Sequence, residues 1–197
     1  ERFASFIPAN NIFVVTSYEY VNIVKKQLAE IPLQNILGEP SRKNTAPCIA
    51  YVSFKLQQMD PHASLIVAPA DHHILDNKAF TKVCLEALSF VNKHNAFITL
   101  GIKPNYPNTG YGYIQYEQHS VADNVYKVKT FIEKPNLELA KAFIASGDFL
   151  WNAGIFVWQV KNIITAFEKF LPEIYDVFHA EKETFNTPEE YAALQNI

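Results

Sequence analysis

Short apolar runs alternate with segments of helical periodicity over the first hundred residues, and this alternation limits the fold more than any other feature. Residues 12–16 (IFVVT) and 65–68 (LIVA) are continuous apolar runs, which is typical of strands buried on both faces of a sheet. The segment between them predicts a helix that is capped by Thr45 and ends before Asp60 and Pro61. This order predicts a doubly wound α/β sheet. The other elements of this half are helices at 20–28 and 80–91 and a strand at 96–100.

The pattern changes beyond residue 101. Residues 111–116 and 125–133 both have strand character and are separated by polar residues, which predicts an antiparallel pair or an excursion from the sheet. Asn136 predicts the start of a helix that Gly147 ends. We therefore expect an α/β protein with a Rossmann-like mixed, mainly parallel sheet flanked by helices. The remaining predicted elements are a strand at 154–158, a helix at 160–167 and a last helix opened by a capping box at 187–190.

Composition excludes several classes of protein. The chain has 197 residues, of which 49% are hydrophobic and 19% are charged, an ordinary globular composition. Its formal net charge of -3 provides no basic field for nucleic acid. No apolar run approaches the ~18 residues of a membrane span, and no basic start leads into an apolar stretch. Two cysteines do not make a disulfide framework, so we expect a cytoplasmic protein. The net charge and the lack of a long apolar run lead us to expect no nucleic-acid and no membrane partner.

Polar residues that follow the predicted strands are the first candidates for a site, because ligands of open α/β sheets bind beyond the carboxyl ends of the strands. Residues 39–46 (EPSRKNTA) combine the cation of Arg42 with amide and hydroxyl groups just before a helix. Such a segment suits an anion or a polar base. A capped helix entry with a solvated Arg42 is the alternative interpretation.

Asp71 follows the strongest predicted strand, within the segment APADHHI. A carboxylate in this place holds Mg²⁺ by one oxygen, while water and phosphate fill the other octahedral positions. The alternative is a turn stabilised by an Asx hydrogen bond. The adjacent His72 and His73 do not favour zinc, because their side chains diverge and no third ligand has suitable spacing.

Two further segments carry polar groups. The glycines of TGYGY (109–113) let a ligand approach the backbone, although most such runs are turns that enter a strand. Glu133 lies at a strand end beside Lys134, and Asn152 adds an amide next to Trp151. Carboxylates and amides suit sugar hydroxyls, and lysine suits phosphate. A surface salt bridge and a core tryptophan are the alternative interpretation.

Nucleophilic catalysis has little support in the sequence. No serine–histidine–carboxylate arrangement is evident, and neither cysteine has a convincing partner. Cys48 lies in the first turns of a predicted helix, where the pKa of a thiol can be lowered. The role of a small buried residue is the better supported interpretation of Cys48.

Five stretches in this order resemble the mannose-1-phosphate guanylyltransferases, also called GDP-mannose pyrophosphorylases. They are EPSRKNTAPCIAY (39–51), LIVAPADHHI (65–74), TLGIKPNYPNTGYGYIQ (99–115), FIEKPNLELAKAFIASGDFLWNAGIFVW (131–158) and FLPEIY (170–175). Each stretch alone is modest, but five in register over almost the whole chain are specific. The resemblance implies a nucleotide-diphospho-sugar transferase fold. It also implies a reaction in which GTP and α-D-mannose 1-phosphate give GDP-mannose and pyrophosphate, with Mg²⁺ required.

The resemblance implies roles for individual residues. Asp71 would hold the catalytic Mg²⁺, and Lys134 would meet the phosphate of the sugar as the second catalytic residue. Gly112 would offer its backbone to the mannose, while Glu133 and Asn152 would bind the sugar hydroxyls. The nucleotide would lie against residues of the EPSRKNTA segment, namely Glu39, Pro40, Arg42, Asn44 and Thr45.

The sequence also departs from the family pattern. Family members have a first strand with a Gly-rich loop that grips the triphosphate, and a second metal-binding aspartate farther downstream; neither has a counterpart here. We expect 1–197 to be a single nucleotidyltransferase domain fragment that is inactive alone. Its nucleotide and metal half would be 1–101, and its sugar-binding half and helical end would be 102–197. The first strand would lie in the centre of the sheet, so we expect unpaired edges beside its place.

Two other functions stay open at this point. One is a pyrophosphorylase for another sugar phosphate or nucleotide, which a nucleotide competition series would distinguish. The other is a non-catalytic regulatory module that binds a nucleotide sugar without turnover. The resemblance is also compatible with a homodimer.

Overall fold

Strands and α-helices alternate up to the fourth strand in the computed structural model, which describes residues 2–41 and 43–197. Arg42, one of the predicted nucleotide-binding residues, lies outside the described residues. The strands are β1 (Val14–Ser17), β2 (Ile36–Glu39), β3 (Ser64–Val67), β4 (Ile98–Ile102), β5 (Tyr113–Ala122), β6 (Val125–Ile132) and β7 (Phe149–Gln159). The helices are α1 (Val21–Gln27), α2 (Thr45–Met59), α3 (Asn77–Lys93), α4 (Leu137–Ser146), α5 (Val160–Phe170), α6 (Pro172–Ala180) and α7 (Glu190–Asn196).

The described strands form two sheets. β1 and β2 pair in parallel, with Val14 opposite Ile36 and Ser17 opposite Glu39. The second sheet has the order β3-β7-β5-β6, and β4 also pairs with β7. β5 is antiparallel to both β6 and β7. The structure therefore has the mixed α/β character that the sequence predicts, and it confirms the antiparallel pair of the second half.

The sequence pattern predicts no strand at β2, and it misplaces the starts of two helices. β2 is only four residues long and contains Gly38, so it gives almost no periodic signal. The N-cap of α2 is Asn44 rather than Thr45, and Asn44 makes no side-chain capping bond. The last helix begins at Glu190, three residues beyond the predicted capping threonine. Thr187 instead accepts a hydrogen bond from the backbone N–H of Glu189, at 3.3 Å.

The chain divides into two compact units whose bounds are not consecutive. The first unit comprises the residues up to Ile66 together with Asp71–Ala96 and Val157–Ile197. The second unit comprises Val67–Ala70 and Phe97–Phe156. The predicted functional halves, 1–101 and 102–197, stay a prediction, because these compact units follow different bounds and the helical end belongs to the first unit.

The core of the first unit is built by α2, α5 and α6. α2 buries Ala50 and Phe54 on one side, as its apolar spacing requires, and α5 contributes Ile164 and Phe167. The ring of Phe54 stacks on that of Phe178 from α6, with 6.0 Å between centroids. Fully burying side chains of this size stabilises a fold by about 1.5–3 kcal/mol each.

A buried ion pair links α7 to α2 within the first unit. Lys55 Nζ lies 2.6 Å from Glu190 Oε2, and the two side chains are only 8% and 13% exposed. The Tyr51 hydroxyl donates to the same carboxylate, and the backbone N–H of Asn186 donates to it at 2.6 Å. Burial and the Glu190 carboxylate raise the pKa of Tyr51, so its hydroxyl remains a donor. Removing one partner of a buried pair costs about 3–5 kcal/mol.

The second unit has a smaller core under α4. Tyr113, Phe143, Phe149 and Trp151 pack together there, with the rings of Phe143 and Phe149 stacked at 4.1 Å. The Asn136 side chain accepts a hydrogen bond from the backbone N–H of Leu139, at 2.9 Å. Gly147 ends the helix in the left-handed conformation at φ 77°. Both predicted ends of α4 are therefore confirmed.

Among residues 2–41 and 43–197, none of the helices combines the length and the apolar character that crossing a membrane requires.

The two sheets leave strand edges without partners, and this arrangement predicts association. Among the described strands, β1 pairs only with β2, and β3 lies at the end of its sheet. Exposed strand edges are templates for pairing between chains. We predict that these 197 residues alone associate or unfold without a cooperative monomeric transition. Sedimentation velocity and calorimetry measure this, with the complete gene product as control; a monomer with one cooperative transition would contradict it.

Candidate functional site

Three of the predicted sugar-binding residues lie together in the second unit. Gly112 precedes β5, and its carbonyl oxygen accepts a hydrogen bond from the backbone N–H of Asn152, at 2.8 Å. A Cβ on Gly112 would lie 2.7 Å from Glu133 Oε2 and 3.4 Å from the Cβ of Asn152. The glycine therefore leaves the space that the Glu133 carboxylate occupies, and the Asn152 side chain begins beside the same position. We call Gly112, Glu133 and Asn152 the polar cluster.

The carboxamide of Asn152 is held by its neighbours. Its Oδ1 accepts hydrogen bonds from the backbone N–H of Gly154 at 3.0 Å and from the hydroxyl of Thr99 at 3.2 Å. Gly154 adopts φ 65°, a conformation that glycine reaches without strain. No sequence motif predicts a role for Thr99, although Thr99 begins one of the five family-like stretches.

Glu133 and Lys134 do not neutralise each other strongly. Lys134 Nζ lies 3.8 Å from Glu133 Oε1, and both side chains are more than half exposed. An exposed pair at this distance contributes about 0–1 kcal/mol, so both charges remain available to a ligand. Lys134 has φ 42°, an uncommon conformation for a residue with a side chain. Such backbone outliers are frequent at functional sites.

Trp151 lies in the core, as the alternative interpretation of this segment predicts. It is 8% exposed, and the rings of Tyr106 and Tyr111 pack edge-on against it at 5.1 and 5.2 Å. Successive side chains of a strand point to opposite faces. The core role of Trp151 and the membership of Asn152 in the polar cluster are therefore compatible.

The predicted nucleotide segment lies in the first unit and is only partly described. Glu39 and Pro40 line a small cleft of about 30 Å³. Burial raises the pKa of Glu39. Asn44 and Thr45 are exposed at the start of α2. These four residues lie along one stretch of backbone, and their role toward a nucleotide stays a prediction.

A larger cavity of the first unit lies elsewhere. It has a volume of about 520 Å³ and is open to solvent, and none of the predicted site residues lines it. Its lining residues include Tyr18, Lys25, Asn35, Lys55 and Tyr191.

Asp71 follows β3 as an exposed carboxylate of the first unit. In the described part of the chain, no three histidine, cysteine, aspartate or glutamate side chains lie close enough to share a metal ion. A single accessible carboxylate suits Mg²⁺, which keeps several waters and binds substrate phosphates. It does not suit a closed structural zinc site, which takes four protein ligands. Beside Asp71, the carbonyl of His72 accepts a hydrogen bond from the guanidinium of Arg2, at 2.7 Å.

The thiols have no sign of activation. Burial, with the Glu39 carboxylate as a second cause, raises the pKa of Cys48 to about 11. Burial likewise raises the pKa of Cys84 to about 11. The helix start therefore does not lower the pKa of Cys48, and both thiols are free.

These raised pKa values predict how alkylation depends on pH. The thiolate is the reactive form, so we expect the alkylation rate of Cys48 to rise tenfold per pH unit up to about 11. At pH 8 the rate would be on the order of 100-fold below that of a thiol titrating near 9. Iodoacetamide labelling of the Cys84→Ala variant isolates Cys48, with glutathione as reference. A profile with its midpoint below pH 8 would show an activated thiol instead.

Comparison with known proteins places these residues in a family. The family model described as nucleotidyl transferase matches residues 5–192. The chain is 34% identical over 170 residues to a mannose-1-phosphate guanylyltransferase of Escherichia coli K12, covering 83% of this chain and 35% of that protein. It is 35% identical over 166 residues to the alginate biosynthesis protein AlgA of Pseudomonas syringae, covering 83% of this chain and 34% of that protein. The chain thus spans about a third of the length of these relatives.

A solved structure shows the same fold. The mannose-1-phosphate geranyltransferase of Thermus thermophilus superimposes with a TM-score of 0.84 at 24% identity, covering 97% of this chain and 55% of that chain. The likeness agrees with the mixed α/β architecture described above. Since the family model extends over nearly all of its residues, the chain belongs to the nucleotidyl transferase family.

Proposed function

We propose that the protein transfers a guanylyl group from GTP to α-D-mannose 1-phosphate. An oxygen of the sugar phosphate attacks the α-phosphorus of GTP, the bond from that phosphorus to the bridging oxygen breaks, and pyrophosphate leaves. The observation that carries this proposal is the convergence of Glu133 and Asn152 at Gly112. The name of one relative, mannose-1-phosphate guanylyltransferase, supports the same transfer to mannose 1-phosphate.

The polar cluster has the chemistry to bind a sugar. The carboxylate of Glu133 accepts hydrogen bonds from hydroxyl groups, and the carboxamide of Asn152 offers a donor. Gly112 has no side chain of its own, so the Glu133 carboxylate lies close to its backbone and to a sugar bound beside it. Lys134, which follows Glu133 directly, contributes an exposed ammonium group that would meet the phosphate of the sugar.

The reaction makes modest demands on acid–base catalysis. The sugar phosphate is already an anionic nucleophile, so no general base is required. The barrier comes from bringing two phosphates together against like charge, and it is lowered by positioning and by cations at the transferred group. Asp71 would hold Mg²⁺, which supplies positive charge to the phosphates. Lys134 would be the cation that this chain contributes on the sugar side.

The nucleotide, the cellular compartment and the assembly complete the proposal. We assign Glu39, Pro40, Arg42, Asn44 and Thr45 to the nucleotide, following the family pattern of EPSRKNTA. A cytoplasmic location is supported by the free thiols, which reducing compartments preserve. A homodimer is the proposed assembly.

The reaction itself is tested by pyrophosphate release. We expect release from the complete gene product with Mg²⁺, GTP and mannose 1-phosphate, and none from the 197 residues alone. ATP and glucose 1-phosphate are the matched substrate controls. Equal turnover with a control substrate would favour a pyrophosphorylase of other specificity. GDP-mannose binding without turnover would indicate the regulatory module.

Gly112→Ala tests the polar cluster separately. The new Cβ would push the Glu133 carboxylate away, because it would lie 2.7 Å from Oε2. Glu133 is exposed, so the thermal stability is expected to stay unchanged. Losing a hydrogen bond to a charged group predicts a rise of about 10- to 100-fold in KM for mannose 1-phosphate, with the KM for GTP unchanged.

Gly110→Ala is the matched control, since its Cβ would meet only Asn108 Oδ1, at 3.2 Å. Both variants are compared with the unmodified protein in steady-state kinetics and thermal unfolding. Equal KM values for mannose 1-phosphate in the two variants would remove Gly112 from the sugar site.

A further inference from the structure

The carboxamide of Asn152 has a defined orientation. The backbone N–H of Gly154 lies 3.0 Å from one of its terminal atoms. A backbone N–H can only donate, so that atom must be the oxygen and not the amide nitrogen. The usual ambiguity between the two ends of an asparagine side chain is thereby removed.

Thr99 occupies the second acceptor position of the same oxygen. Its hydroxyl donates to Asn152 Oδ1 at 3.2 Å. A carbonyl oxygen has two lone pairs, so Gly154 and Thr99 together saturate it. Among residues 2–41 and 43–197, no hydrogen bond is recorded for the amide nitrogen of Asn152. Toward a ligand, this side chain therefore offers hydrogen-bond donors and no acceptor.

The strand geometry explains why Thr99 is in this place. β4 pairs with β7, and residues two apart in a strand share a face. Gly101 is covered by Leu150, whose Cδ1 would lie 2.4 Å from a Cβ on that glycine. Thr99 is two residues before Gly101, and Asn152 is two residues after Leu150. Thr99 and Asn152 therefore lie on the same face of the paired strands β4 and β7, where their side chains meet.

We propose that Thr99 is a positioning residue that fixes Asn152 as a donor, so that the polar cluster accepts from one hydroxyl of the sugar and donates to another. One hydroxyl donates to Glu133, which in its ionised form only accepts. The other hydroxyl accepts from the amide nitrogen of Asn152. A Cβ on Gly112 would lie 2.7 Å from Glu133 Oε2 and 3.4 Å from the Cβ of Asn152, so the two side chains flank the same glycine. This inference rests on the proposed function, because it states which groups of the sugar the proposed site binds.

The test compares Thr99→Val with Thr99→Ser in the complete gene product. Valine has the shape of threonine without the hydroxyl, and serine keeps the hydroxyl without the methyl group. We expect Thr99→Val to weaken GDP-mannose binding about fivefold, the effect of one neutral hydrogen bond, and Thr99→Ser to stay within about twofold of the unmodified protein. Affinity for GDP, which lacks the sugar, is expected to be equal in all three. Isothermal titration calorimetry measures the affinities, and thermal unfolding confirms that each variant folds.

A double-mutant cycle with Asn152→Ala separates positioning from general packing. If Thr99 acts through the carboxamide, Thr99→Val has no further effect once that carboxamide is removed. An undiminished effect in the Asn152→Ala background would overturn the inference, as would a Thr99→Ser variant as weak as Thr99→Val. Unaltered GDP-mannose affinity in Thr99→Val overturns this inference alone. Absence of GDP-mannose binding by the unmodified protein overturns the proposed function and this inference with it.

Discussion

The two-residue alternation of β7 is the constraint on which both the small core and the candidate site depend. The strand pairs with β3, β4 and β5, and buried positions alternate with half-buried ones from Phe149 to Val157. The buried set includes Trp151, which α4 and two tyrosine rings enclose. The half-buried set includes Asn152, which belongs to the polar cluster. A shift of one residue in register would exchange the two sets. The strand pairing that buries Trp151 therefore also determines on which face the Asn152 carboxamide lies.

Local signals in the sequence were sufficient where one residue type has one structural task. Asn136 and Gly147 mark both ends of α4, and the structure confirms them. The antiparallel hairpin of β5 and β6 follows from two alternating runs with polar residues between them. Glu133 and Asn152 lie beside Gly112, and the roles that the family resemblance implies for these residues stay predictions. Those roles came from motifs in register, and no single spacing in the chain would have indicated them.

Features that depend on long-range contacts were not predictable in the same way. β2 has four residues and becomes a strand only through its pairing with β1. Thr99 has no distinctive sequence signal, because its role depends on a hydrogen bond to Asn152 Oδ1, 53 positions away along the chain. The cap predicted at Thr187 failed because Glu190 is engaged by Lys55 of α2, so a tertiary contact overrides the local motif. In this last case, a side chain with two possible partners takes the one that burial favours.

The ion pair between Lys55 and Glu190 has a consequence for the order of folding. The two residues are 135 positions apart, so the contact has a very long loop to close. During synthesis, α2 emerges long before its carboxylate partner, and the ammonium group of Lys55 remains hydrated until then. Burying it earlier would leave an unpaired charge in an apolar layer. The polar end of α2 therefore packs last. In a nascent chain, the first unit reaches its final packing only after residue 190 has left the ribosome.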